Sequence, residues 1–169
     1  GTWDKEEINW NHVNKKHTKY AGVVMFPTTH DITPNVEKAC LDTIANILEA
    51  GNKLLLVSKP HLQCIKSIIR CFNSQKNNIL FRFTIGSMDN KILQYWEPGA
   101  PSFGERFDSL QEAFDSGFNT SISCEPMLDA PNVAQLFDTL EPFVTHDIWI
   151  GKMNKIRSRV KIKTDIDEV

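Results

Sequence analysis

Five short apolar runs separated by helix-periodic segments fill the middle of this chain, and no other feature constrains its fold as strongly. Residues 20–26 (YAGVVMF) form a nearly continuous apolar run closed by Pro27, the pattern of a strand buried on both faces. Thr33 and Pro34 read as an N-cap with proline at the first helical position. Val36, Cys40, Leu41, Ile44, Ile47 and Leu48 follow at helical spacing until Gly51 stops them. The unit then repeats. Residues 53–57 are a second strand, Pro60 opens a helix carrying Leu62, Ile65, Ile68, Ile69 and Phe72, and residues 79–85 alternate as a third strand. A longer connection holds a short helix within 88–96 and a loop at 97–101. Ser102 and Glu105 then fit a capping box, in which each side chain satisfies a free backbone donor. Phe103, Phe107, Leu110 and Phe114 mark the buried stripe of the helix that follows, ended by Gly117. Residues 118–124 and 147–150 are the fourth and fifth strands, with a helix from Pro131 between them. Parallel neighbours need crossovers, so five strands with four helical connections indicate an α/β fold around a parallel sheet. An open doubly wound sheet and a TIM-like barrel both satisfy the pattern.

Composition narrows the setting more than the chemistry. With 169 residues, 41% of them hydrophobic, the chain can bury one sizeable core. A net charge of −2 gives no bulk attraction to nucleic acid or to a membrane surface. No apolar run reaches the roughly 18 residues of a spanning helix, which excludes a membrane partner of that kind. Cys40, Cys64, Cys71 and Cys124 are dispersed in an otherwise ordinary composition, which suggests a reducing, cytoplasmic setting and contains no metal-ligand spacing. Cys64 and Cys71, seven residues apart on one helix, should face the same way and pack in the interior. Residues 1–19 read as a polar extension, 20–155 as the folded unit and 156–169 as a charged segment, and both ends look cut from a longer protein. Lys152, Lys155, Arg157, Arg159, Lys161 and Lys163 form a basic run that reads as a solvated surface.

Ligands of parallel sheets bind where the strands end and the helices begin. Those positions carry Thr28, Thr29, His30 and Asp31 after the first strand and Ser58 and Lys59 after the second. The third supplies Thr84, Ser87 and Asp89, the fourth Ser123 and Glu125, and the fifth Lys152 and Asn154. Lys59 follows four consecutive aliphatic residues, so its ammonium should emerge at the rim of the core. There it could hold an anionic group or, desolvated, serve as a Schiff-base amine. His30 beside Asp31 reads as an oriented base or as a plain polar turn.

Residues 24–34 (VMFPTTHDITP), 56–60 (LVSKP), 83–85 (FTI), 97–102 (EPGAPS) with Glu105 and Arg106, and 123–127 (SCEPM) together resemble the radical S-adenosylmethionine enzymes. The similarity is to the branch of spore photoproduct lyase and the proteins labelled DNA repair photolyases, and it covers about 20–155. It implies a partial TIM-like barrel of which this chain carries strands two to six. The first strand–helix unit, with its C-x-x-x-C-x-x-C loop for a [4Fe–4S] cluster, would belong to the parent protein. The resemblance further implies that Thr28 and Thr29 meet the amino end of S-adenosylmethionine and that Lys59 holds its carboxylate. Thr84 would contact the ribose, and Glu125 the cofactor or substrate. The parent would cleave S-adenosylmethionine reductively with an external electron donor, and the fragment alone would be inactive. Nucleic acid enters as a partner only through that branch, and an open barrel would expose a sheet edge through which copies could pair. The alternatives are a TIM-like Schiff-base lyase using Lys59 or Lys152, with Glu125 or His30 as proton shuttle, and a non-catalytic scaffold.

Overall fold

A computed structural model of the chain describes residues 7–154. Five strands, β1 (Val23–Phe26), β2 (Lys53–Ser58), β3 (Ile79–Thr84), β4 (Asn119–Cys124) and β5 (Ile148–Ile150), form one sheet in the order β1-β2-β3-β4-β5. Every pair is parallel. The helices are α1 (Trp10–Val13), α2 (Glu37–Glu49), α3 (Leu62–Phe72), α4 (Asn90–Trp96), α5 (Phe103–Asp115) and α6 (Val133–Leu140). The order is sequential. A doubly wound sheet reverses its strand order at a switch point, whereas here each strand lies beside its successor. Right-handed crossovers in such a sheet carry all the helices to one side.

The burial pattern agrees. Leu54, Leu56, Ile79, Phe81, Phe83, Ile122 and Cys124 are buried together with Ile44, Ile47, Ile65, Ile68, Leu110 and Leu136 from the helices. Phe81 contacts Phe83 and Phe118 with ring centroids 5.3 Å away in each case, so the core is centred on β3. The alternate residues Leu55, Val57, Leu80 and Arg82 are half-buried, and Val23 and Met25 are 59% and 50% exposed. The expectation that the first run is buried on both faces therefore fails. The strand starts at Val23, stands at the edge of the sheet, and only Val24 and Phe26 pack on the core.

Several boundaries also move. α2 begins at Glu37, because Thr33 to Val36 closes a separate turn through Val36 N–H to Thr33 O at 3.1 Å. α3 begins at Leu62, and a 3-10 turn at Ala130–Asn132 precedes α6. The capping box forms by half. Ser102 Oγ accepts from Glu105 N–H at 3.3 Å, but the Glu105 carboxylate turns away to accept Leu62 N–H at 3.1 Å, capping α3 from the neighbouring helix. Cys64 is buried and Cys71 exposed. Equal azimuth on a helix does not give equal burial, because Cys71 lies in the last turn. Part of the N-terminal stretch is docked on the fold, at Val13, Thr18 and Tyr20. Asn46 Nδ2 donates to Val13 O at 2.8 Å, while Asn52 donates to Thr18 O at 3.0 Å and accepts from Tyr20 N–H at 2.8 Å. Lys155, Arg157, Arg159, Lys161 and Lys163 lie outside the described residues.

Candidate functional site

Strand register turns the less buried face of the sheet into rows. Ser58 pairs with Phe83, so Lys59, one residue on, stands level with Thr84. Thr84 pairs with Ser123, and Ser123 with Trp149. Successive strand residues alternate faces. Lys59, Thr84, Ser123 and Trp149 thus cross the carboxyl end of the sheet in one row, on the side away from the buried core. The row beneath holds Val57, Arg82 and Ser121 with Asp147, and the next Met25, Leu55 and Leu80. Polarity rises toward the carboxyl ends of the strands, where a parallel sheet binds its ligands.

Each end of the row is held by its neighbours. The Asp31 carboxylate accepts Lys59 N–H at 2.8 Å, pairs with Lys59 Nζ at 3.1 Å and takes the Ser58 hydroxyl at 3.3 Å. Ser58 Oγ in turn accepts Ile32 N–H at 3.0 Å, which fixes the loop after β1 to the end of β2. Asp31 is thereby engaged by Lys59, so the dyad in which it would orient His30 does not form. His30 is exposed, with its ring edge-on to Phe26. Thr28 and Thr29 are exposed on the same loop. At the other end, Arg82 Nη2 donates to Asp147 Oδ2 at 2.7 Å and Nε to Ser121 Oγ at 2.9 Å. Its guanidinium lies 5.3 Å from the centroid of the Trp149 ring.

The backbone at Thr84 is clamped from behind. Arg106 is fully buried on α5 and donates from Nη1 to Thr84 O at 3.1 Å and from Nε to Pro101 O at 2.8 Å. Glu97, whose side chain is 9% exposed, neutralises it with Oε2 at 2.7 Å from Nη1, a close ion pair without hydrogen-bond alignment. Glu97, Pro101 and Arg106 thus lock the long connection onto the end of β3. Ser87 Oγ, also buried, donates to Asp129 at 3.2 Å and accepts Asp89 N–H at 2.9 Å. Gly86 is required there, since a Cβ would lie 2.7 Å from Pro126 O.

Of the residues singled out from the sequence, Lys59, Thr84 and Ser123 stand in the row, and Thr28 and Thr29 flank it. Glu125 is exposed beyond β4, with its carboxyl carbon 3.2 Å from where a Cβ on Gly151 would sit, and Lys152 is exposed after β5. Arg82, Asp147 and Trp149 were not among them, although a charged residue inside a strand of a parallel sheet signals an uncovered face. Burial disfavours the thiolate at two of the buried cysteines. Burial, then the Glu37 carboxylate, pushes Cys64 up to about 12, and burial, then Asp129, pushes Cys124 up to about 11. Among the described residues no three His, Cys, Asp or Glu side chains gather as a metal site, and no helix is long and apolar enough to cross a membrane. Compared with protein-family models, curated proteins and solved structures, the chain matches none.

Proposed function

We propose that this chain is the S-adenosylmethionine-binding portion of a radical S-adenosylmethionine barrel. The observation that carries the reading is the row Lys59–Thr84–Ser123, set on one face of a sequentially ordered parallel sheet whose helices pack on the other. Such a sheet is the wall of a partial TIM-like barrel, and its less buried face the inner wall.

The methionine end of the cofactor is a zwitterion and needs a cation and an anion side by side. Lys59 Nζ and the Asp31 carboxylate, 3.1 Å apart, are such a pair. The ammonium holds the ligand carboxylate, while Asp31, with Thr28 and Thr29 on the same loop, accepts from the ligand amine. Thr84 hydrogen-bonds the ribose, its strand end fixed by Arg106 so that little is lost in ordering it. Glu125 reaches the rim from beyond β4. When bound, S-adenosylmethionine supplies an activated sulfonium. These residues grip it and fix its orientation. A [4Fe–4S] cluster does not fit the described residues, because Cys40, Cys64 and Cys124 are buried on separate elements and Cys71 is exposed on its own. Cluster chemistry and its electron donor are therefore assigned to no residue of this chain.

The Schiff-base alternative needs a free amine. Lys59 is held as one half of an ion pair and Lys152 stands out in solvent, so neither suits that role. Calorimetric titration of the chain with S-adenosylmethionine tests the proposal. Binding that Lys59→Ala weakens by about 1.5–3 kcal/mol is expected for a charged hydrogen bond. An affinity unchanged by Lys59→Ala contradicts it.

A further inference from the structure

Trp149 has no part in that grip. It is 54% exposed, yet its indole is fixed from two sides. The Arg82 guanidinium covers one side of the ring, and the indole N–H donates to the Asp147 carboxylate. Arg82 and Asp147 are themselves tied to each other and to Ser121. A large ring held in one orientation with half its surface in water loses rotamer freedom and gains little burial. Its outer face is a flat apolar surface already in place for a flat partner. Because Arg82 and Asp147 neutralise one another, the surroundings favour an uncharged ring over an ionised one. Ser123 pairs with Trp149 across the strands, so a hydroxyl that both donates and accepts stands on the strand beside the ring.

The geometry points to Trp149 as a stacking platform for an uncharged planar heteroaromatic ring of nucleobase type, with Ser123 meeting the ring's polar substituents. Base–aromatic stacking of this kind needs only the open π-face. The platform stands on its own contacts and does not depend on the cofactor reading. Three strand spacings put it roughly 14 Å from Lys59. The ring can therefore belong to an elongated ligand laid along the row, the adenine of S-adenosylmethionine included, or to a second molecule.

The test is NMR on the 169-residue chain with its four tryptophans labelled with ¹⁵N, the Trp149 indole being assigned by its loss in Trp149→Phe. Adenosine, thymidine and S-adenosylmethionine are titrated separately. The expected result is a shift of the Trp149 indole resonance with a nucleoside, affinity largely kept in Trp149→Phe and weakened roughly tenfold or more in Trp149→Ala. Circular dichroism of both variants establishes that they fold. If S-adenosylmethionine shifts the same resonance and needs the ring, the ring is the cofactor's. If nucleosides bind through Trp149 and S-adenosylmethionine does not bind, the platform stands and the proposed function falls. If S-adenosylmethionine binds in a Lys59-dependent manner without touching Trp149, and no nucleoside does either, the platform is overturned while the proposed function survives. Silence of Trp149 toward all three at millimolar concentration overturns the platform as well.

Discussion

The two faces of one sheet do different work in this molecule. On the helix-covered face, Leu54, Leu56, Phe81, Phe83 and Ile122 are buried in one apolar cluster. On the other, one residue along the same strands, stand Arg82, Thr84 and Ser123, in line with Lys59 and Trp149; Lys59 is paired with Asp31 and Arg82 with Asp147. The first face holds the fold together, and the polar groups buried there, such as Ser58, Thr120 and Arg106, are hydrogen-bonded. The second carries half-exposed polar groups whose removal should cost little stability. A strand of six residues such as Ile79–Thr84 serves both purposes because its side chains alternate.

The contrast can be broken at its strongest point first. Phe81→Ala removes a ring at the centre of the covered face and should destabilise the fold by about 3–5 kcal/mol, read from denaturant unfolding. Arg106→Met leaves the Glu97 carboxylate buried without its cation and should cost about 3–5 kcal/mol in the same experiment. On the other face, Arg82→Ala removes an ion pair whose arginine is only partly shielded. Its cost should stay near 1 kcal/mol or less, and a loss as large as that of Phe81→Ala would erase the distinction between the faces.

Thiol titration sharpens the same comparison at smaller scale. A disulfide reagent at neutral pH should modify Cys71 and leave Cys40, Cys64 and Cys124 intact in the native state. Cys64 is held above its ordinary value, so the folded form keeps its proton where the unfolded chain releases it. The stability this contributes is whole below about 9 and is lost as the pH rises from 9.0 toward about 12. Unfolding midpoints measured across that window should fall, and should fall less in Cys64→Ala relative to its own neutral value.

The alternation of strands and helices was legible because burial imposes a period on sequence, and all five strands fall where the apolar runs do. The order of strands was not, since a parallel pattern alone leaves the winding open; it took the pairing of each strand with its successor to decide it. Edge position was equally hidden, which is why Val23 and Met25 read as buried. Within the candidate site, Lys59 and Thr84 were legible because they end strands. Arg82 was visible as a charge inside a strand, but its partner Asp147 lies 65 residues away and nothing local announces the pair. The Glu97–Arg106 clamp reads in sequence as part of a motif, and only the fold turns it into a buried brace on Thr84.

The most direct test of the central claim is a map of backbone amide shifts in the ¹⁵N-labelled chain on adding S-adenosylmethionine. The account predicts changes at Lys59, Thr84 and Ser123 and along 28–31, with α2 and α3 unmoved. Shifts confined to the helical side, or none at millimolar ligand, would contradict it.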